Sequence, residues 1–99
     1  MIAKKKITIN NESGLHARPA ALFVQIANKY DSDIVVQKGR QKVNGKSIMG
    51  IMMLAAEKGS KITLIATGGD AEEAVNELET LLLNDTIEEQ DEKKTKSKS

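Results

Sequence analysis

At 99 residues, 39% of them hydrophobic, the chain has material for one core and one domain, with no cleft between two. Fifteen lysines and arginines against fourteen acids leave a net charge of +1, and Phe23 and Tyr30 are the only aromatics, so neither bulk electrostatics nor base stacking marks a nucleic-acid binder. With no cysteine a disulfide scaffold and a thiolate metal site are excluded, a single histidine argues against structural zinc, no run approaches the ~20 apolar residues of a membrane span, and the basic Met1–Lys6 lacks the apolar core of a signal peptide. A cytoplasmic protein without metal or cofactor is expected.

Ala3–Asn10 reads as the first strand, because Ile7 and Ile9 alternate with Lys6 and Thr8. A loop follows over Asn11–Gly14. From His16 to Lys29 the period changes: Pro19, Leu22, Phe23, Ile26 and Tyr30 recur at i, i+3, i+4, i+7 and i+11, one face of a helix. Proline is tolerated in a first turn, whose N–H groups have no helical acceptor, so either His16 or Arg18 could occupy the cap position. Ile34–Lys38 and Gln41–Asn44 read as two strands joined across Gly39-Arg40. Ser47 is a favourable N-cap for a short helix over Ile48–Ala55. Lys61–Thr67 is a fourth strand with Ile62, Leu64 and Ala66 on one face, and Gly68-Gly69 a turn. Asp70 with Glu73 resembles a capping box, and Ala71, Ala74, Val75, Leu78 and Leu82 form the stripe of a third helix.

The order β-α-β-β-α-β-α predicts an α+β fold: an open-faced sandwich with three helices on one face of a four-stranded, mostly antiparallel sheet. Met1–Asn84 forms the domain. Asp85–Ser99 holds one large apolar residue, Ile87, among acids, lysines and serines, and is expected to be disordered.

His16 stands where a loop becomes a helix, yet histidine caps poorly. A helix start stabilises an anion, and Arg18, two residues on, can hold phosphate oxygens. A nucleophilic ring nitrogen, an anion-binding helix end and an arginine together suit a histidine that accepts a phosphoryl group; a surface histidine beside an arginine is the alternative. No second side chain completes a hydrolytic set, because Glu12, Ser13 and Ser47 show no nucleophile elbow, and no phosphate-binding glycine loop is present. Ser47 is a cap, and phosphorylation there would add charge beside the cap without unfolding it. The helix it opens is too apolar to bury completely, so part of Ile48, Met49 and Met52 should face solvent as an adaptable docking patch, unless the helix is sunk in the core.

Gly14-Leu15-His16-Ala17-Arg18-Pro19-Ala20-Ala21 resembles the phosphohistidine motif of the HPr family, the histidine-containing phosphocarriers of the bacterial phosphoenolpyruvate-dependent phosphotransferase system, and Lys46-Ser47-Ile48-Met49-Gly50-Ile51-Met52 resembles its regulatory serine motif. The resemblance implies that His16 takes a phosphoryl group on Nδ1 from phosphorylated enzyme I and passes it to enzyme IIA units of sugar permeases. Arg18 would steady that group. Ser47 would be the target of HPr kinase/phosphorylase in bacteria that have one, its phosphorylated form acting with a catabolite repressor. Ile48, Met49 and Met52 would dock partners, flanked by Ala20 and Phe23. The protein would be a phosphocarrier and not an enzyme, and a monomer that enters no membrane. Met53-Leu54-Ala55-Ala56 reads partly like the nitrogen-related branch of the family, which regulates and does not import sugar. A regulator acting mainly by binding partners is therefore the alternative. One paralogue of the family lacks the active histidine, and His16 sets this chain apart from it.

Overall fold

The computed structural model describes residues 1–10, 12 and 14–83, so the expected disordered tail lies outside the described residues. The chain runs β1 (Ile2–Thr8), α1 (Ala17–Ala27), β2 (Asp33–Lys38), β3 (Gln41–Asn44), α2 (Ile48–Met53), β4 (Lys61–Thr67) and α3 (Ala71–Leu83). The strands form one sheet in the order β1-β4-β2-β3, and every pairing is antiparallel.

The register aligns the apolar positions on one face. Ile7 stands opposite Ile62, Leu64 opposite Val36, and Ala66 opposite Ile34. All six are buried under the helices. α1 meets them with Pro19, Ala20, Phe23, Val24 and Ala27, and α3 with Ala71, Ala74, Val75, Leu78 and Leu82. A period of two on the strands and of 3.6 on the helices thus converge on a single core. The other face of the sheet has no helical cover and carries mostly polar side chains, lysines prominent among them, with Val35 and Ile65 half-buried in their midst.

The element boundaries shift for local reasons. β1 stops at Thr8, yet Ile9 continues the ladder informally: its N–H donates to the Ser60 carbonyl at 2.9 Å and its own carbonyl accepts from Gly59 N–H at 2.8 Å. α2 stops at Met53, two residues early. Leu54 N–H donates to Ile51 O at 3.2 Å and Ala55 N–H to Met52 O at 3.0 Å, which tightens the last turn, and Ala55 then takes the left-handed conformation at φ +49° and turns the chain away.

The capping box expected at Asp70 has a different use. Its carboxylate accepts from Asp31 N–H at 2.9 Å, from Ser32 N–H at 3.0 Å and from the Ser32 hydroxyl. Ser32 is buried, and this clamp fastens the start of α3 to the loop that follows α1. The Ser32 hydroxyl first, then the Asp31 N–H, holds the Asp70 carboxyl below its ordinary value.

Candidate functional site

The path into α1 is set by the backbone before it. Gly14 has φ +69°, and a Cβ there would overlap the Ala56 carbonyl oxygen and stand 2.8 Å from Glu57 Cα. Only glycine fits both the angle and the space. Leu15 N–H then donates to that same Ala56 oxygen at 2.8 Å, and the Leu15 side chain is buried. The segment after α2 therefore anchors the loop that presents His16.

His16 is the N-cap of α1, with extended backbone at φ −95°, ψ −163° and no side-chain capping bond. Its carbonyl accepts from Ala20 N–H at 2.9 Å, the first bond of the helix. This decides the choice left open by the sequence: Arg18 is the second helical residue and Pro19 the third. The half-buried imidazole is not used as a cap, and the first-turn N–H groups, which have no helical acceptor, point out along the axis at this end of the helix. Arg18 is exposed in the same turn. The structure thus places His16 at the helix start and Arg18 in the first turn that follows it.

Ala20 and Phe23 correct the expected docking surface. Both have 0% exposure, because positions 20, 23, 24 and 27 of α1 face the sheet. They offer nothing to a partner. The outward positions of that helix near the site are Ala17 and Arg18, with Ala21 and Leu22 half-buried. The signal was present in the sequence, since Phe23 belongs to the same apolar stripe as Pro19 and Ile26.

Ser47 caps α2: its Oγ accepts from Gly50 N–H at 3.0 Å and its carbonyl from Ile51 N–H at 3.0 Å. Lys46, just before it, donates through Nζ to the Tyr30 carbonyl at 2.7 Å and ties the cap to the loop after α1. α2 is not sunk in the core. Ile51 and Leu54 are buried against α1 and the sheet, while Ile48 (44% exposed), Met49 (71%) and Met52 (42%) face solvent. Met53, at 65%, continues the patch and is missed by sequence reasoning, although its spacing of four residues from Met49 puts it on the same side of the helix. Among the described residues no helix is long and apolar enough to cross a membrane, and no cluster of side chains could hold a metal.

The family described as "PTS HPr component phosphorylation site" matches residues 3–84. The HPr-like protein Crh of Bacillus subtilis is 49% identical over 77 residues, 78% of this chain and 91% of its own length. The phosphocarrier protein HPr of Treponema pallidum is 44% identical over 85 residues, 86% of this chain and 97% of its own. Among solved structures, HPr of Bacillus anthracis superposes with a TM-score of 0.79 at 48% identity, covering 82% of this chain and 96% of that one. The solution structure of Crh, the catabolite repression HPr of B. subtilis, gives 0.64 at 46%, covering 83% and 98%. An HPr dimer of Thermoanaerobacter tengcongensis gives 0.61 at 52%, covering 85% and 91%.

Proposed function

The chain belongs to the PTS HPr family, and on that premise we propose that it is a phosphocarrier whose acceptor is His16. The observation that carries this reading is a single one. The chain's only histidine stands at the start of α1, its ring not used for capping, within one helical turn of Arg18 and inside the matched residues. Nδ1 attacks the phosphorus carried by phosphorylated enzyme I; the new N–P bond forms as the bond to the donor breaks, and the reverse exchange delivers the group to an enzyme IIA unit. Such transfer needs positioning and charge stabilisation more than covalent help. Arg18 and the first-turn N–H groups supply both to the phosphoryl oxygens. The partners are those of the phosphotransferase system, and the place of action is the cytoplasm. The resemblance implies a monomer, whereas one solved relative is an HPr dimer.

Phosphoenolpyruvate with enzyme I should label the protein once, through an acid-labile bond, and His16→Ala should abolish the label in mass spectra. Labelling that persists in His16→Ala would overturn the assignment.

A second reading is favoured by the exposed apolar side of α2 beside Ser47. Ser47 would be phosphorylated by an HPr kinase/phosphorylase, and the modified face would bind a catabolite repressor, in keeping with the catabolite repression after which the Crh relative is named. The two readings use different residues and can coexist.

A further inference from the structure

The uncovered face of the sheet holds a cluster of cations. Pairing sets Lys6 opposite Thr63 and Thr8 opposite Lys61. Lys6 and Lys61 are therefore diagonal neighbours, about 7–8 Å apart. Lys4 lies two residues from Lys6 on the same face, roughly 7 Å away. The three lysines are exposed, and with Thr8, Thr63 and Gln37 they ring a hollow of about 540 Å³ whose floor includes Ile65 and the edges of Ile7 and Ile62, and in which no acid takes part. Ion pairs elsewhere use Lys5 with Glu79, Lys29 with Glu77 and Lys58 with Glu12; among the described residues none of the three lysines has a carboxylate partner. Asp33, on the same face, stands at the far end of the sheet opposite Thr67.

Lysines on an edge strand are ordinarily explained as a guard against pairing with other chains. That accounts for Lys4 and Lys6 on β1. It does not account for Lys61, which opens β4, an interior strand, and is itself paired there with Thr8 of β1. Like charges held across neighbouring strands are unfavourable unless something neutralises them.

We infer that this hollow binds a soluble polyphosphate, a ligand with two or three linked phosphoryl groups. Ammonium groups rooted about 7 Å apart on rigid strands are best neutralised by an anion with several charges along its length. The threonine hydroxyls and the glutamine amide donate to its oxygens. A nucleic acid would be served by arginines and aromatic rings, which the hollow lacks. His16 sits in the opposite layer, so the hollow and the phosphohistidine can be occupied together, and the site stands whether or not His16 is the acceptor.

The test is titration of the ¹⁵N-labelled full chain with inorganic tripolyphosphate at low ionic strength, with orthophosphate in parallel. Saturable 1:1 binding is expected, with amide shifts centred on Lys4, Lys6, Thr8, Lys61 and Thr63. Tripolyphosphate should bind about tenfold more tightly than orthophosphate, from two further surface ion pairs. Lys6→Gln and Lys61→Gln should each weaken binding about fivefold. Lys5→Gln removes the same charge one residue away on the opposite face and should change it less than about twofold. Equal losses for Lys5→Gln and Lys6→Gln would overturn the site, as would shifts spread over all lysines or equal affinity for orthophosphate. Binding to anionic phosphatidylglycerol vesicles without a response to tripolyphosphate would overturn it too, and would assign the face to a membrane.

Discussion

Arg18 and Gly14 bracket His16, and each should fail in its own way when replaced. Arg18 is exposed at the second residue of α1 and is not one of the buried core residues. Loss of one charge-assisted contact to a phosphoryl oxygen costs about 1.5–3 kcal/mol, roughly ten- to hundredfold in rate. Arg18→Ala should slow transfer from enzyme I by that factor and move stability by less than about 0.5 kcal/mol. Transfer kinetics beside a thermal melt check this, and a large loss of stability with normal transfer would reverse the assigned role. Gly14→Ala behaves oppositely. The left-handed conformation costs an L residue roughly 1–2 kcal/mol, and here the new methyl also meets the backbone of Ala56 and Glu57. Stability should fall by about 2 kcal/mol or more, and transfer with it, because the loop that presents His16 must shift; a wild-type urea midpoint would refute the argument.

Among the elements, α2 separates two roles that share Ser47. The hydroxyl holds Gly50 N–H, so Ser47→Ala should cost about 1 kcal/mol and leave transfer near normal. Ser47→Asp keeps an acceptor at the cap and adds a charge beside Ile48, Met49 and Met52. If enzyme I docks on that patch, the charge must be desolvated there, so the affinity for enzyme I should drop while stability stays close to wild type. Steady-state kinetics with enzyme I as the varied partner measure it, and unchanged affinity would leave Ser47 as a cap alone. How far each element can be read beforehand follows from the kind of signal it carries. The strand Lys61–Thr67 and the Ser47 cap are legible because each rests on neighbours in sequence. The end of α2 is not: a left-handed stop is announced by glycine or asparagine, and here the residue is Ala55. The burial of Phe23 is legible in its helical stripe, but the motif resemblance draws that position to the surface, and packing returns it to the core.

Across the whole molecule, the ties that close the fold are carboxylates reaching far along the chain. Such contacts have no local pattern, which is why the Asp70 clamp reads as a helix cap in the sequence. Asp70 grips Asp31 and Ser32, and Glu77 takes the Lys29 ammonium at 2.6 Å and the Tyr30 hydroxyl. Both therefore join α3 to the loop that follows α1. The Ser32 hydroxyl and Asp31 N–H hold the Asp70 carboxyl low, and Lys29, then Tyr30, does the same for Glu77. A carboxyl lowered in the folded state adds stability that is fully present above its unfolded value, near 3.8 for Asp70, and is lost as pH falls through the lower folded value. The protein should therefore hold a level urea midpoint from neutral pH down to about pH 5 and lose stability progressively below it. Asp70→Asn should be less stable than wild type at pH 6, yet lose less on going to pH 3, so that the two curves converge in acid. Adding Glu77→Gln should flatten the acid limb further. The Glu12–Lys58 pair, with Glu12 84% exposed, should contribute little, as surface pairs do. Urea denaturation between pH 2.5 and 7 provides the comparison. Parallel curves for wild type and Asp70→Asn would show that the clamp acts through its hydrogen bonds alone and that the charge of Asp70 does not govern acid stability.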